Sequence, residues 1–420
     1  MEKERLKQII LEQRQDFLNK KTGVEREKLS EAGKYLKLPH VYVISGIRRC
    51  GKSTLMRQIA EKYYPEENYF FLNFEDERLF NFDAGLFNDL LEIQIELFGN
   101  HKTFFIDEIQ TISNFELFIR RLSDSGYKFI ISGSNAELLS GELATKLTGR
   151  HVATRLQPFS FKEFLLFYNI TYTLQDLYLT ENRAILSGEF ERYSSEGGMP
   201  EYVTYKTGEI LTRMYEDILI KDIMVRNGIS NIVPLRELSR YLISNFGRRY
   251  SYNSLQKATG LGSANTAKSY CSFLEQSYLI NSIYKYDHSL KKQFVNDKKS
   301  YVADHAIIKA ISTMLTKDTG RIIENIVAND LIADNMLYYY SGRKECDFVA
   351  VDANRNVQLF QVCEYLDTET LKRETEGLIE GMNYFKLSKG IILSQHQEDE
   401  FTTDGKTIQI TPVWKWLLIK

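Results

Sequence analysis

In the first 160 residues, short apolar runs alternate with longer stretches in which apolar residues recur every three or four positions. The runs predict buried strands, and the periodic stretches predict helices. Strands that alternate with helices favour a parallel sheet covered by helices on both faces. The predicted strands span 40–45, 68–74, 103–106, 127–132 and 151–156. We therefore expect an α/β domain over residues 1–164.

The pattern changes after this first domain. Residues 165–232 are rich in aromatic residues and helical in period, and they predict a helical domain. Residues 233–303 predict a winged helix, because two short helices meet at a glycine-containing turn, 260–262, and two strands follow them. Residues 304–420 return to alternating helix and strand, and they predict a C-terminal α/β domain.

The composition is that of a globular protein, since 43% of the residues are hydrophobic and 26% are charged. The sequence has no apolar segment near its start and no apolar run of about 18 residues, so we expect neither a signal peptide nor a membrane span. The cysteines are scattered and lack metal-ligand spacing: Cys50, Cys271, Cys346 and Cys363. This pattern is typical of reduced thiols, and we expect a cytoplasmic protein.

A phosphate-binding pattern, G-x-x-x-x-G-K-[ST], follows the first predicted strand and opens a predicted helix. Its glycines let successive backbone N–H groups close around phosphates, and the helix N-terminus faces the anion. Lys52 would reach the β- and γ-phosphates, and the Ser53 hydroxyl would take one position on Mg²⁺. The predicted nucleotide contacts are Gly46, Ile47, Arg48, Arg49, Cys50, Gly51, Lys52, Ser53 and Thr54.

Two carboxylates follow the third predicted strand. Asp107 would hold Mg²⁺ through water, and Glu108 would lie just beyond it, where a carboxylate orients or deprotonates the attacking water. The alternative for Glu108 is a solvated acid at the end of a strand. Together with the phosphate loop, this pair of residues indicates that the protein binds ATP or GTP and hydrolyses it.

The order of these motifs resembles the AAA-type ATPases, in the bacterial and archaeal branch that carries a restriction-endonuclease-like C-terminal domain. The resemblance extends over nearly the whole chain. It implies that residues 165–232 form a helical lid and that the nucleotide is ATP. The sequence agrees, because it has no N-K-x-D tetrapeptide, which reads guanine in small GTPases.

The resemblance also implies roles for three further residues. Asn135, with Ser134 as the neighbouring candidate, would sense the γ-phosphate; the alternative is a residue of a turn. Arg150, after a predicted helix over Glu137–Leu147, would act as an arginine finger in a homo-oligomer; the alternative is a cation at a helix end. Pro200 would lie against adenine; the alternative is a turn between helices.

The predicted winged helix is a basic island in a chain of net charge −2. Between 233 and 300 there are 11 Lys or Arg and 4 Asp or Glu, a local net charge of +7. Duplex DNA is therefore a candidate partner through residues 248–292. The alternative is a module that packs on the ATPase with its charges solvated. The candidate phosphate contacts are Arg248, Arg249, Lys257, Lys268, Lys291 and Lys292.

The C-terminal domain resembles the restriction-endonuclease-like fold, in which two carboxylates bind Mg²⁺ and a lysine polarises the attacking water. Glu324 and Asp347 match the carboxylates, but the Glu-x-Lys positions hold Gln361 and Cys363. Lys372 on the following helix is a candidate replacement for the lysine. The domain is acidic, with 11 Lys or Arg and 16 Asp or Glu from 321 to 420, a net charge of −5. We therefore expect the fold without nuclease activity.

The sequence favours Mg²⁺-dependent ATP binding and hydrolysis, coupled to movement of the winged-helix and nuclease-like module that engages a partner. The alternative is a nucleotide-dependent binding switch for DNA or protein with little turnover. A third hypothesis, a DNA nuclease driven by ATP, conflicts with the residues at the Glu-x-Lys positions. The expected ligands are ATP and Mg²⁺, and the candidate partners are duplex DNA, another protein and further copies of the chain.

Overall fold

The structure is a computed structural model, and it describes residues 2–136, 149–312 and 318–420. The chain divides into two compact units. Unit 1 comprises Met1–Gln157 and the short segment Gln276–Tyr278, and unit 2 comprises Pro158–Glu275 and Leu279–Lys420. Unit 1 thus ends close to the predicted boundary at residue 164. Apart from Gln276–Tyr278, the three domains predicted after that boundary fall in unit 2, and their division from one another stays a prediction.

Unit 1 contains a five-stranded sheet. Its strands are β1 (Val41–Ser45), β2 (Phe70–Asn73), β3 (Thr103–Asp107), β4 (Lys128–Gly133) and β5 (His151–Arg155). Their order is β2-β3-β4-β1-β5, and all neighbouring pairs are parallel. Each strand lies inside its predicted run or extends it by one residue, which confirms the predicted parallel sheet. Parallel strands end at one edge, so the carboxyl ends of β1, β3 and β4 lie together.

Helices accompany this sheet, and their apolar faces form its core. The helices are α1 (Lys3–Asn19), α2 (Lys28–Leu36), α3 (Lys52–Tyr63), α4 (Phe87–Phe98) and α5 (Phe115–Asp124), with short 3₁₀ turns at Glu77–Leu79, Ala84–Leu86 and Ile109–Thr111. All residues of β1 and β3 are buried, as a parallel sheet between helix layers requires. In α5, Phe115, Phe118 and Leu122 are buried at helical spacing, so one face of the helix packs on the core.

Helix α1 covers the exposed edge of β2. The Gln13 side chain donates to the Asn73 carbonyl at 3.0 Å and accepts from the Asn73 N–H at 2.8 Å, as a neighbouring strand would. Phe17 stacks on Phe71 with ring centroids 4.0 Å apart. An unpaired strand edge exposes backbone N–H and C=O groups that can pair with another chain. The Gln13 side chain of α1 occupies both groups of Asn73 instead.

Unit 2 contains a nine-stranded mixed sheet. Its strands are β6 (Arg249–Tyr250), β7 (Ile280–Lys285), β8 (Lys298–Val302), β9 (Met336–Ser341), β10 (Glu345–Val351), β11 (Val357–Val362), β12 (Lys389–Ser394), β13 (Asp399–Thr403) and β14 (Lys406–Pro412). Their order is β13-β14-β12-β11-β10-β9-β7-β8-β6. Strand β7 pairs antiparallel with β8 and parallel with β9. The hairpin of the predicted winged helix therefore continues the sheet of the C-terminal region, which the sequence did not predict.

Along the chain, the helices of unit 2 lie before, between and after the strands of this sheet. They are α6 (Phe161–Phe167), α7 (Thr180–Glu196), α8 (Pro200–Tyr205), α9 (Gly208–Asp217), a π-helical segment (Ile218–Val225), α10 (Val233–Ser244), α11 (Tyr252–Thr259), α12 (Ala264–Gln276), α13 (Leu290–Val295), α14 (His305–Ile311), α15 (Thr319–Asp334), α16 (Thr368–Phe385) and α17 (Val413–Ile419). The predicted helix-turn-helix corresponds to α11 and α12, and Gly260 ends α11 in the left-handed conformation. Among the described residues, no helix has the length and apolar character to cross a membrane.

Candidate functional site

The phosphate loop connects β1 to α3, and its two motif glycines are required by the backbone. Gly51 has a φ of 101°, a left-handed conformation that a residue with a side chain rarely adopts. Gly46 has no room for a side chain, because a Cβ there would lie 2.1 Å from the carbonyl oxygen of Leu156. Helix α3 begins at Lys52, so the positive end of its dipole adjoins the loop.

Lys52 and Glu108 meet beside this loop. The buried Lys52 ammonium donates to the carbonyl oxygens of Gly46 at 3.2 Å and Ile47 at 3.4 Å, and it lies 3.5 Å from Oε1 of Glu108. Glu108 has φ 52° and ψ 42°, a left-handed conformation that is strained for a residue with a side chain. Strain of this kind clusters at functional sites. Its occurrence at the carboxylate that contacts Lys52 supports a functional position.

The surroundings of Glu108 keep its carboxylate ionised. Burial alone would raise the pKa of Glu108, but the charge of Lys52, a hydrogen bond from Gln110 and the charge of Arg48 together lower the pKa. The Ser134 hydroxyl also donates to Oε2 of Glu108 at 3.4 Å. An ionised carboxylate at neutral pH can orient a water molecule or accept a proton from it.

Asp107 lies one residue earlier, at the buried end of β3. Burial and the neighbouring charge of Glu108 raise the pKa of Asp107, while hydrogen bonds from the hydroxyls of Ser132 and Ser53 oppose that rise. A nearby cation favours the ionised form of such a carboxyl. The contact of Asp107 with Ser53 thus fits a Mg²⁺ site.

Ser53 and Asp107 also line one cavity in unit 1, with a volume of about 310 Å³. The residues that line it are Gln13, Asp16, Phe17, Lys20, Ser53, Phe71, Asn73, Glu75, Asp76 and Asp107. In the ranges that the structure describes, no group of three His, Cys, Asp or Glu side chains forms a metal site. Two protein ligands suit Mg²⁺ in nucleotide sites, because it keeps several waters and binds substrate phosphates.

The other predicted residues of the loop differ in exposure. Ile47 and Cys50 are buried, Arg49 is exposed with a left-handed φ of 64°, and Thr54 is half-buried in the first turn of α3. Arg48 pairs with Glu75, which follows β2, at 2.6 Å. Of the two adjacent arginines of the loop, Arg48 is thus paired with a carboxylate and Arg49 is exposed.

Arg26 is a contact of the loop that the sequence did not reveal. Its guanidinium is buried and donates to the carbonyl oxygens of Cys50 at 2.7 Å and Gln157 at 2.6 Å. It thus links the phosphate loop to the segment after β5. No motif marks this arginine, since it lies outside the predicted strands and its partners are backbone atoms.

Asn135 and Ser134 directly follow β4, and both are buried. Strand β4 is the neighbour of both β1 and β3, so the two residues follow a strand placed between the phosphate loop and the carboxylates. The role of Asn135 as a γ-phosphate sensor stays a prediction.

Arg150 and Pro200 have defined places, but their roles also stay predictions. Arg150 precedes β5, and its side chain, 52% exposed, pairs with that of Asp124. The helix predicted at Glu137–Leu147 lies outside the described residues. Pro200 belongs to unit 2, where it is the first residue of α8. Gly198, two residues before Pro200, donates its N–H to the buried Asp304 carboxylate at 2.7 Å.

The six candidate DNA contacts divide into two groups. Five of them are exposed side chains: Arg248, Lys257, Lys268, Lys291 and Lys292. Arg249 is exposed as well, but it pairs with Glu345 and donates to the Ser341 hydroxyl. Two further cations of the basic island, Lys298 and Lys299, are buried. The charge available at the surface is therefore smaller than the sequence count of +7.

Lys299 lies among three carboxylates, two of which, Glu324 and Asp347, the sequence assigned to a nuclease-like site. Its ammonium lies 2.7 Å from Glu345, 3.3 Å from Glu324 and 3.3 Å from Asp347. The Tyr301 hydroxyl donates to the same oxygen of Glu324 at 2.6 Å. The sequence counted the two lysines of β8 in the charge of the basic island, but it did not place Lys299 beside these carboxylates. A buried cation from another strand of the sheet thus lies beside Glu324 and Asp347.

The residues at the Glu-x-Lys positions serve structural contacts. Gln361 accepts from the Asp347 N–H at 3.0 Å and donates to Glu374 at 2.5 Å. Cys363 is buried in an apolar cluster, and burial raises the pKa of its thiol to about 12. Lys372, the candidate replacement, is exposed on α16. This arrangement fits the expectation of a nuclease-like fold without nuclease activity, which stays a prediction.

Comparison with protein families finds two matching regions. Residues 39–165 match the AAA domain, which covers the sheet of unit 1 from β1 to β5 and the candidate nucleotide site. The sheet is that of an AAA-type P-loop core, as the sequence predicted. Residues 187–318 match a domain of unknown function, DUF8612, which covers part of unit 2. The family match thus coincides with the phosphate loop and the carboxylates after β3.

Two relatives match nearly the whole chain. The uncharacterized protein MJ1544 of Methanocaldococcus jannaschii is 33% identical over 398 residues, which cover 90% of this chain and 88% of the relative. An uncharacterized protein of Haemophilus influenzae is 29% identical over 395 residues, which cover 90% and 94%. Among solved structures, the Aeropyrum pernix Orc1 protein in complex with DNA covers 71% of this chain and 95% of its own, with 11% identity and a TM-score of 0.31. That structural similarity is too weak to carry an inference.

Proposed function

The chain belongs to one protein family with its Methanocaldococcus jannaschii relative and contains an AAA domain, and from this premise we propose that it is a Mg²⁺-dependent ATPase. One observation carries the proposal: Lys52 and Glu108 meet at the phosphate loop, and Ser53 and Asp107 line one cavity beside them. Phosphoryl transfer to water requires a cation on the phosphates, ligands for Mg²⁺ and a group that orients the attacking water, and these four residues can supply them.

Each residue has a distinct task in the proposed reaction. Lys52 binds the β- and γ-phosphates, while the backbone N–H groups of the loop hold the rest of the phosphate chain. Ser53 and Asp107 hold Mg²⁺, which neutralises charge that develops on the phosphates. Glu108 orients the attacking water and accepts its proton, for which its lowered pKa suits it. Asn135 contacts the γ-phosphate from the end of β4.

In the structure, Lys52 contacts both the loop carbonyls and Glu108. A γ-phosphate competes with Glu108 for this ammonium, because both are anions that Lys52 can bind. Binding of ATP then releases the Glu108 carboxylate toward the attacking water. The proposed reaction therefore begins by replacing an ion pair that the structure already contains.

Steady-state ATP hydrolysis by Glu108→Gln tests the assignment. The amide keeps the size of the side chain but cannot accept a proton, so turnover should fall about 100-fold or more while ATP still binds. Glu77→Gln is the matched control, since Glu77 is an exposed glutamate just after β2. Unchanged turnover in Glu108→Gln would exclude Glu108 as the base.

A nucleotide-dependent binding switch is the second candidate function. The observation that favours it is the coordination of Glu108, whose carboxylate is engaged by both Lys52 and Gln110. If those contacts persist after ATP binds, Glu108 cannot activate water and turnover is slow. Stoichiometric ATP binding with no turnover above that of Glu108→Gln would select the switch.

Duplex DNA is the partner that we propose for the exposed cations of α11, α12 and the β7–β8 hairpin. Their contacts are electrostatic, so the DNA affinity of the wild-type protein should fall steeply as the salt concentration rises. Charge reversal at Lys257 and Lys268 should weaken binding and reduce that salt dependence, as fluorescence anisotropy would show. Charge reversal at Lys386, an exposed lysine just after α16, is the control. If both variants bind alike, the partner is a protein or another copy of the chain.

Arg150 is the residue that we propose for a contact between copies of the chain. Its side chain is half-exposed and pairs with the exposed Asp124, and an ion pair at the surface costs little to break. Arg150→Ala should lower turnover without weakening ATP binding. Mixing Arg150→Ala with Glu108→Gln tests the contact in trans. In a mixed oligomer, the first variant supplies Glu108 and the second supplies Arg150.

A further inference from the structure

The segment Gln276–Tyr278 has an unusual place in the chain. Residues on both sides of it belong to unit 2, but the segment itself belongs to unit 1. Helix α12 ends at Gln276, and strand β7 begins at Ile280. The second helix of the helix-turn-helix pair therefore leads directly into three residues of the nucleotide-binding unit.

Within unit 1, this segment touches both sides of the candidate nucleotide site. The Tyr278 hydroxyl donates to Oγ of Ser45 at 2.8 Å, and Ser45 immediately precedes Gly46 of the phosphate loop. The N–H of Ala136 donates to the Gln276 carbonyl at 2.8 Å, and Ala136 immediately follows Asn135. One end of the segment thus adjoins the loop, and the other adjoins the proposed γ-phosphate sensor.

Tyr278 is held firmly in this position. It is 4% exposed, and the Arg155 guanidinium lies 4.8 Å from the centroid of its ring. Its φ is 60°, a left-handed conformation that is unfavourable for an aromatic residue. Such a conformation persists only where the surroundings enforce it, and it is found mainly at functional sites and switch regions.

We propose that Gln276–Tyr278 couples the nucleotide site to α12, with Tyr278 as the positioning residue. The inference deepens the proposed function and rests on it. A nucleotide that binds the loop and contacts Asn135 changes the surroundings of Ser45 and Ala136. Because the segment is close-packed and hydrogen-bonded to both, a shift at either residue changes the end of α12. The helix that carries Lys268 thereby responds to the nucleotide.

The hydrogen bond between Tyr278 and Ser45 limits the size of the effect. A ligand shifts an equilibrium only by its difference in affinity for the two states. One buried hydrogen bond between neutral groups supports a shift of about threefold to tenfold. Removing the Tyr278 hydroxyl should therefore remove a nucleotide-dependent change of about that size in α12.

Hydrogen exchange of the full chain, with and without the ATP analogue AMPPNP and Mg²⁺, measures this change. In the wild-type protein the analogue should slow exchange at 46–54 and alter exchange at 264–276 about threefold to tenfold. In Tyr278→Phe, the change at 46–54 should remain, and the change at 264–276 should be lost. The substitution retains the ring, so the packing against Arg155 is kept.

Tyr250→Phe is the matched control. Tyr250 is 5% exposed, and its hydroxyl is 2.7 Å from Oγ of Ser282, so this variant loses a comparable Tyr–Ser hydrogen bond within unit 2. The inference predicts that Tyr250→Phe keeps the nucleotide-dependent change at 264–276. A loss of that change in both variants would indicate a general loosening of the fold and would overturn the role of Tyr278.

The remaining outcomes separate the coupling from ATP binding itself. If the analogue protects 46–54 but alters 264–276 equally in wild type and Tyr278→Phe, the coupling is refuted and ATP binding stands. If it protects 46–54 without altering 264–276 in wild type, the coupling is refuted as well. If the analogue does not protect 46–54 in wild type, ATP binding at the phosphate loop is refuted, and the proposed function is refuted with it.

Discussion

Replacing Lys299 with Met tests whether its ammonium is the cation that the buried carboxylates of unit 2 require. The ammonium, 5% exposed, contacts Glu324, Glu345 and Asp347 within 3.3 Å. Burial alone would lower the pKa of Lys299, but the charges of these carboxylates outweigh burial and raise the pKa well above its ordinary value, so Lys299 is charged at neutral pH. Methionine has a similar volume but leaves these carboxylates without their shared counter-ion.

The expected loss of stability follows from the contacts that remain. Removing one partner from a buried ion pair costs about 3 to 5 kcal/mol. Arg249 still pairs with Glu345, and Tyr301 still donates to Glu324, so we expect the lower end, about 3 kcal/mol. For a unit of this size the melting temperature should fall by roughly 6 to 12 °C.

Lys298→Met is the control, because Lys298 is the neighbouring buried lysine on the same strand. Its ammonium donates to the carbonyl oxygens of Phe294 and Asn296 and lies 4.5 Å from the centroid of the Tyr252 ring. The loss of these contacts should cost about 1 kcal/mol. Scanning calorimetry of wild type and both variants measures the difference.

The pH dependence provides a second readout for Lys299→Met. Burial already raises the pKa of Glu324 above its unfolded value, and without the charge of Lys299, which opposes that rise, the pKa rises further. The variant then has its full stability below the unfolded pKa of Glu324 and loses stability as the pH rises through the folded pKa. The deficit relative to wild type should therefore be large at about pH 8 and small at about pH 5. Equal deficits at both pH values, or a deficit no larger than that of Lys298→Met, would refute the reasoning.

Three further substitutions have defined outcomes. Gly46→Ala should weaken ATP binding about tenfold or more in a fluorescent-nucleotide titration, because its Cβ would lie 2.1 Å from the Leu156 carbonyl oxygen. Arg26→Lys should raise the Kd for ATP about threefold to tenfold in the same titration, since an ammonium cannot reproduce the planar fork that spans two carbonyls. Burial raises the pKa of Glu324 to about 7, so the free energy of unfolding should fall as the pH rises from 4.5 toward that value. Glu324→Gln should flatten this slope in urea titrations.

The sequence predicted the sheet of unit 1 and its motif residues because both leave local signals. Buried parallel strands are short apolar runs, and the glycines, Lys52 and Ser53 occur at fixed spacing. The contact between Lys52 and Glu108 depends on the strand order, which the sequence did not predict: β1 and β3 both neighbour β4 and end at one edge of the sheet. The strained backbone of Glu108 leaves no such signal, because it depends on the chain after β3.

The contacts that the sequence did not reveal depend on residues far apart in the chain. Arg26 binds carbonyl oxygens at positions 50 and 157, and the identity of those residues says nothing about a backbone contact. Lys299 reaches Asp347 because β8, β7, β9 and β10 are successive strands of one sheet. From the sequence, Lys298 and Lys299 differ only in which face of β8 they occupy. Which face is buried depends on the strands that pair with it.

The continuity of the sheet in unit 2 constrains how a nucleotide signal could act there. If the predicted winged helix, residues 233–303, moved as a separate module, β7 would have to break its parallel pairing with β9 at Tyr284 and Lys285. The same movement would pull Lys299 of β8 away from Glu345 and Asp347 of β10, which separates a buried cation from two of its carboxylates. Both losses oppose independent motion. A shift at the end of α12 would therefore either stay within the α11–α12 pair or move the nine-stranded sheet as one body.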